Sequence, residues 1–345
     1  MNMSDTPRPG TTMISVVVPV YCGANYVEAL TAALDELRRE WLEQGAPFLL
    51  AETIFVDDAA IDDSGPLIDR LALKYPWVVP LHLSRNFGQH PATIVGILHS
   101  SGDWVVTMDE DLQHRPEVIK LLLRKAVTGH DDIVYAKPAS AVHEAAIRDW
   151  TSRSFKRVMQ WLTDNPNLSS FNSFRLIRGP VARAAASVCS HDTYLDITLG
   201  WFTQSIGVLN VEMKDERYIQ TKRSGYSLRS LLSHGWRMIF SSQIKLLRIG
   251  SILGLSAMLF SVVAAAYFLI VRIFYPMDIG VQGWTSLFLA ITFFGGLSAF
   301  MLGIALQYLS SMILRAHGKP TFFTIDRSGD AAGAAWLAQR ADPQP

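Results

Sequence analysis

The sequence predicts an α/β domain with a doubly wound, mostly parallel sheet, followed by a two-helix membrane hairpin. Three observations carry that expectation. Between Ile14 and Tyr135, short β-rich apolar runs alternate with helix-like segments, and repeated β-α units imply a parallel sheet. Two later segments, Ile249 to Val271 and Trp284 to Leu314, hold no charged residue. Between them lies a short stretch with Pro276 and Gly280.

Taken in order, Ile14–Pro19 is the first strand and Asn25–Glu43 the first helix. Thr53–Val56 and Pro66–Tyr75 form the second pair, and Val78–Leu83 and Pro91–Ser100 the third. Trp104–Met108 and Pro116–Thr128 form the fourth, and Ile133–Tyr135 is a fifth strand. Ligands of such sheets bind beyond the carboxyl ends of the strands. Here those ends carry Tyr21, Asp57-Asp58, Arg85-Asn86 and Asp109 to Asp111, which predicts one convergent site. No Gly-x-x-x-x-Gly-Lys-Ser/Thr loop occurs, nor Gly-x-Gly-x-x-Gly after the first strand. A nucleotide bound here would need its diphosphate neutralised by metal and basic side chains.

The first charge-free segment has 23 residues, about 35 Å as a helix, against a hydrocarbon core of about 30 Å. The second is longer and can tilt or reach past the interface. Lys245, Arg248, Arg315 and Lys319 flank the open ends, whereas the connection holds only Arg272 against Asp278. The positive-inside rule then places both termini in the cytoplasm and the protein in the cytoplasmic (inner) membrane as a multi-pass chain. Met1 to Gly10 lacks the apolar stretch of a secretory signal. The expected divisions are a flexible terminus at 1–12, a catalytic domain at 13–225, amphipathic interface helices at 226–247, the spans at 248–315 and a cytoplasmic tail at 316–345. The basic, aromatic-rich stretch Tyr226–Leu247 fits the headgroup layer of a lipid bilayer, and Trp150–Leu162 fits either that layer or a helix packed on the soluble domain. The tail after Arg327 is expected to be loosely ordered. Gly250 and Gly254, and Gly295, Ala299 and Gly303, recur at a spacing that lets helix backbones approach. That contact lies either within the hairpin or between subunits of a homo-oligomer.

Lys plus Arg balance Asp plus Glu, 31 against 31, so nothing points to nucleic acid. Cys22 and Cys189 are the only cysteines, which fits a reduced compartment and implies no disulfide framework. Cys22 is read as a small buried side chain. His82, His90, His99 and His114 show no metal-ligand spacing and are assigned no role.

The most informative stretch is Asp109-Glu110-Asp111-Leu112-Gln113, directly after an apolar strand. Two carboxylates and a side-chain amide form a compact set of hard oxygen ligands, suited to Mg²⁺ or Mn²⁺ shared with substrate phosphates. With Val18-Pro19-Val20-Tyr21, Val56-Asp57-Asp58, Arg85-Asn86-Phe87-Gly88-Gln89, Phe174-Arg175-Leu176 and Ser224-Gly225-Tyr226-Ser227-Leu228, in this order, the chain resembles the family-2 glycosyltransferases that load a sugar onto a polyprenyl phosphate.

That resemblance covers Ile14 to Leu314 and implies a GT-A catalytic domain using a nucleotide-diphosphate sugar and a divalent metal. By position, Pro19, Tyr21, Val56 and Asp58 would hold base and ribose, with Asp57, Asn86, Gly88 and Glu110 also on the donor side. Asp109, Asp111 and Gln113 would hold the metal, with Asp111 catalytic. Arg148, likewise catalytic, and Ser152 would grip the acceptor phosphate, with Lys137 beside them. Arg217 would approach the donor diphosphate, with Lys222 or Arg223 as substitutes. Arg175 is either a substrate contact or a structural ion-pair partner, and Asp57 either a donor contact or a helix cap. The default substrates by this analogy are a uridine diphosphate sugar and undecaprenyl phosphate, giving a lipid-linked sugar for the cell envelope.

The sequence departs from the family pattern in places. Cys22-Gly23 replaces an acidic residue after the tyrosine, Ala59-Ala60 replaces Gly-Ser, and Asn172-Ser173 replaces Gly-Asp. Two other functions compete. A processive polysaccharide synthase would carry Gln-x-x-Arg-Trp, which this chain lacks. A non-catalytic membrane-anchored binder would account for the departures but not for intact Asp109, Asp111 and Gln113.

Overall fold

The computed structural model describes residues 10–138, 171–189, 194–211, 244–274, 283–316, 318 and 330–339. Seven strands form one sheet: β1 (Thr12–Val20), β2 (Phe48–Asp57), β3 (Val78–His82), β4 (Trp104–Thr107), β5 (Ile133–Pro138), β6 (Arg175–Arg178) and β7 (Ile206–Val211). Their spatial order is β3-β2-β1-β4-β6-β5-β7. The first four strands pair in parallel. β6 runs antiparallel between β4 and β5, and β7 closes the edge parallel to β5. This is the mixed, mostly parallel sheet of a GT-A domain.

Helices cover both faces, so the central strands bury side chains on both sides and read as unbroken apolar runs. Ile14, Val16, Val18 and Val20 of β1 pack under α1 (Val27–Glu43), α2 (Ser64–Lys74) and α4 (Val118–Gly129). Val17, with Ile54 and Val56 of β2, packs under α3 (Gln89–His99), α5 (Gly179–Val188) and α6 (Leu195–Phe202). The expected strands and helices of the first half are present with shifted ends. β2 starts at Phe48 rather than Thr53, because Glu52, which interrupts the apolar run, is satisfied in place. Its carboxylate accepts from Ser15 Oγ at 2.6 Å and from the Ser101 amide at 2.7 Å.

Two long helices follow, α7 (Ile244–Phe274) and α8 (Trp284–Ala316). Ile252–Val271 and Ser286–Leu306 are long and apolar enough to cross a membrane, and only 11% of each apolar window is buried. That exposure argues against a core helix of a soluble protein. Of the spaced small residues, Gly254 lies against the facing helix of the hairpin, as does the neighbouring Gly296. A Cβ on Gly254 would lie 2.5 Å from the Phe300 amide nitrogen, and one on Gly296 would lie 2.7 Å from that of Met258. Gly295 faces open space. Trp150–Leu162 lies outside the described residues, as does Tyr226–Leu247 except for its last four residues, which begin α7.

The expectation of a loosely ordered tail is corrected by α9 (Asp330–Gln339), which docks on the α/β domain. Leu337 is fully buried in the core cluster of α1 and α4, and Gly333 sits where a Cβ would meet the Phe48 ring at 2.8 Å. Asp330 pairs with the buried guanidinium of Arg178, Oδ2 to NH2 at 2.8 Å and Oδ1 to NH1 at 3.2 Å. The same guanidinium donates through Nε to Asp132 at 3.0 Å and lies over the Trp104 ring at 4.4 Å. An alanine-rich segment thus holds its helix through one ion pair and one apolar stripe.

At the other edge, His82 bridges Asp57 Oδ2 at 2.9 Å and Asp69 Oδ1 at 3.1 Å. The hydrogen bond to Asp57 raises the imidazole pKa, with Asp69 in support and partial burial opposing. A raised folded-state value means that this bridge's stability is fully present below about pH 6.5 and is lost as pH rises through the raised value. His82→Gln should therefore lower Tm most below pH 6.5, with the gap to the parent closing toward alkaline pH in melts across that range. Asp330→Ala removes one of two carboxylates from a buried arginine and should cost about 3 kcal/mol in denaturation of the detergent-solubilised protein.

Candidate active site

Parallel strands end with backbone N–H groups that have no ladder partner, and this sequence answers them with acids. Asp58, just past β2, is buried. Its Oδ1 accepts from the Phe87 amide and its Oδ2 from the Gly88 amide, each at 2.7 Å. Gly88 has φ of +96°, so the loop can turn both amides inward only with glycine there. Glu110, just past β4, takes the Tyr21 amide at 2.9 Å and the Cys22 amide at 3.2 Å. The ends of β1, β2 and β4 and the loop after β3 are thereby tied together.

These ties enclose a cleft of about 290 Å³ lined by Pro19, Tyr21, Asp58, Asn86, Gly88, Gln89, Asp109, Glu110 and Asp111. Asp109 is held on three sides. Gln89 Nε2 donates to its Oδ1 at 2.6 Å, Ser173 Oγ donates to its Oδ2 at 2.9 Å, and its amide donates to His114 Nδ1 at 3.0 Å. His114 is buried and stacks on Phe174 with ring centroids 4.7 Å apart. Burial lowers its pKa against the opposing charges of Asp109 and Asp111. The acceptor role of Nδ1 puts the proton of the neutral ring on Nε2. Asp111 follows on the same wall, and its Oδ1 accepts from the Gln113 amide at 3.3 Å. Leu112 between them has φ of 60°, a sparsely populated region for a side chain of its size.

A second cavity of about 600 Å³ opens on the far side of Asp109, sharing Pro19, Gly88, Gln89 and Asp109 with the first. Asn172, Ser173, Arg175, Tyr194 and Asp196 line it. Arg175 is buried and ion-paired with Asp196, which also accepts from the Tyr135 hydroxyl at 2.7 Å. The ion-pair alternative for Arg175 therefore holds, while its Nε lacks a partner among the described residues.

Of the residues singled out in the sequence, the first cleft gathers Pro19, Tyr21, Asp58, Asn86, Gly88, Asp109, Glu110 and Asp111. Four do not line it. Val56 is fully buried in the core beneath α3, α5 and α6. Asp57 Oδ1 accepts from the Ala60 amide at 2.7 Å, and its Oδ2 pairs with His82 Nδ1 at 2.9 Å. Gln113 contributes its backbone amide to Asp111. Lys137 is exposed on β5. Arg148, Ser152, Arg217, Lys222 and Arg223 lie outside the described residues. Cys22 is exposed, not buried as expected, because it lies in the turn beyond the end of β1. Ala59, where the family pattern has glycine, lies at φ of 51°, in the left-handed region that favours glycine, at a cost of about 1–2 kcal/mol.

Among the described residues, no three His, Cys, Asp or Glu side chains gather as a ready-made cation cage. The donor set still suits Mg²⁺ or Mn²⁺. Small hard cations are commonly held by one or two carboxylates, with substrate phosphates and waters completing the shell. Asp109 and Asp111 on one cleft wall offer that pair.

A profile described as glycosyl transferase family 2 matches residues 15–181, which include every loop of this cleft. A bactoprenol glucosyl transferase of Shigella phage SfX is 27% identical over 314 residues, covering 91% of this chain and 99% of its own. An undecaprenyl-phosphate 4-deoxy-4-formamido-L-arabinose transferase of Pseudomonas aeruginosa (strain LESB58) is 28% identical over 313 residues, covering 90% and 89%. Likeness to solved structures is loose. A Mycobacterium tuberculosis glucosyl-3-phosphoglycerate synthase in complex with Mn²⁺, UDP-glucose and phosphoglyceric acid is 15% identical, covers 67% of this chain and 79% of its own, and has a TM-score of 0.45. With the relatives aligned through the hairpin as well, and the profile lying over the strands and loops that build the cleft, residues 15–181 form a glycosyl transferase family 2 domain.

Proposed function

We propose that this enzyme moves one sugar from a nucleotide-diphosphate donor, by default a uridine diphosphate sugar, to a polyprenyl phosphate such as undecaprenyl phosphate. The observation that carries this reading is the reach of the two relatives. Both are aligned over about nine-tenths of this chain, catalytic domain and hairpin alike, and their names specify bactoprenol or undecaprenyl phosphate. A site tethered to a bilayer meets a lipid acceptor without having to extract it.

The cleft supports the same chemistry. Pro19, Tyr21, Asp58, Asn86 and Gly88 form a wall for the nucleoside end, and Asp109 and Asp111 stand where a diphosphate would lie. Mg²⁺ or Mn²⁺ bound there would offset the charge that grows on the departing diphosphate. Arg148 and Ser152, four apart and on one face if helical, would present the acceptor phosphate. Arg217 or Arg223 would add positive charge on the donor side, and Lys137 on the acceptor side.

Among the described residues, the carboxylates nearest the two cavities are engaged by other groups. Asp196 is paired with Arg175, Asp109 is held by Gln89 and Ser173, and Glu110 by two backbone amides. A phosphate monoester has a second pKa of about 6 and is mostly dianionic near neutrality, so it attacks without a base. A single displacement at the anomeric carbon then inverts its configuration.

The hairpin is read as two spans at 248–315, with the catalytic domain and both termini on the cytoplasmic face. Docking of α9 on the catalytic domain supports both hairpin ends lying on that side. Lys245, Arg248, Arg315 and Lys319 at those ends support its being the cytoplasm.

The test is a donor screen on the detergent-solubilised full chain with undecaprenyl phosphate, with and without Mg²⁺ or Mn²⁺, following lipid-linked product by mass spectrometry. One sugar per lipid is expected, and a ladder of longer products would instead favour a polymerase. Asp111→Ala should lower transfer about a hundredfold or more while leaving the melting curve in place. The anomeric configuration of the product, read by NMR, should be opposite to that of the donor.

A further inference from the structure

We propose that Gln89 and Ser173 are positioning residues that hold the Asp109 carboxylate ready for the cation and diphosphate, a role that rests on the donor-site reading above. Gln89 is the first residue of α3, and Ser173 lies two residues before β6. They reach Asp109 from different parts of the chain, one on each oxygen, at 2.6 and 2.9 Å.

The chemistry of the donors matters. The terminal torsion of an aspartate is broad, so an untethered carboxylate samples many orientations. One donor on each oxygen fixes the plane and leaves each oxygen a further lone pair. Both donors are neutral, so the full negative charge remains for a cation. A lysine or arginine in either place would fix the carboxylate equally well but cancel the charge.

Ser173 is itself held firmly. Thr107 Oγ1 donates to its carbonyl at 2.6 Å, and the neighbouring Asn172 Nδ2 donates to the Ala136 carbonyl at 2.6 Å. The segment that replaces the family's Gly-Asp is thus pinned between β4 and β5, with its hydroxyl set against Asp109. An acid at Ser173 would stand as a second carboxylate at hydrogen-bond distance from the first. The hydroxyl supplies a donor there instead.

The experiment uses the detergent-solubilised full chain. Mn²⁺ affinity is measured in the presence of UDP by electron paramagnetic resonance and calorimetry, alongside Tm and the Mn²⁺ dependence of transfer. Ser173→Ala should weaken Mn²⁺ binding by about 10- to 100-fold, the range typical of removing a group that orients a metal ligand. Ser173→Thr, which keeps the hydroxyl, should restore it. Gln89→Ala, acting on the other oxygen, should shift binding in the same direction. A wild-type Mn²⁺ titration in both alanine variants would overturn the role, even if Tm fell, and would identify the two as packing residues. Wild-type protein that takes up no Mn²⁺ with UDP would overturn the donor-site reading itself.

Discussion

The structure depends on one constraint: backbone amides beyond the ends of parallel strands must find acceptors. Acidic side chains from neighbouring strands supply them. Asp58 closes the loop after β3, and Glu110 closes the turn after β1. Each is a charge-assisted hydrogen bond to main chain, stronger than a neutral one. Because Asp58 and Glu110 are committed to main chain, the cleft keeps a fixed shape, with Asp109 and Asp111 beside them on its wall. Structure and chemistry draw on the same cluster of residues, which is why the cluster looks richer in ligands than it is.

A second buried charge organises the opposite end of the sheet. Arg178 of β6 gathers Asp132 before β5, Asp330 of α9 and the Trp104 ring of β4. Asp132 in turn accepts from the Thr203 hydroxyl at 2.7 Å. Removing a partner from such a network is costly because the remaining charge stays buried. The network also anchors β6, whose other end leads to Ser173 and so to Asp109. The tail helix and the catalytic cleft thus share one strand.

Much of this was legible in the sequence. Strands β1 to β5 are largely apolar, and their turns carry the acids, so the sheet and the cleft at its strand ends could be read directly. β6 could not, because Arg175-Leu176-Ile177-Arg178 looks solvated until its partners are known. Those partners, Asp196, Asp132 and Asp330, lie 21, 46 and 152 residues away. Val56 and Asp57 were drawn into the site by their motif, although Val56 belongs to the core and Asp57 to His82. His114 carried one usable signal, its place in the same turn as Asp111, but its stacking partner Phe174 belongs to a distant segment. The tail was misread because alanine-rich sequence resembles a linker when Arg178 is not in view.

The docking of α9 has a consequence for how the protein is made. The catalytic domain is not built from one continuous stretch of chain, since its core includes Leu337 and its buried arginine needs Asp330. Those residues leave the ribosome only after both long apolar helices have emerged. Both long apolar helices are therefore made before the globular domain can be completed, and in sequence they form an insertion within that domain rather than a segment appended to it. A nascent chain stalled after α8 would hold Arg178 with Asp132 but without its second carboxylate partner. The final folding step is then the docking of α9, which has to wait until the whole hairpin has been made.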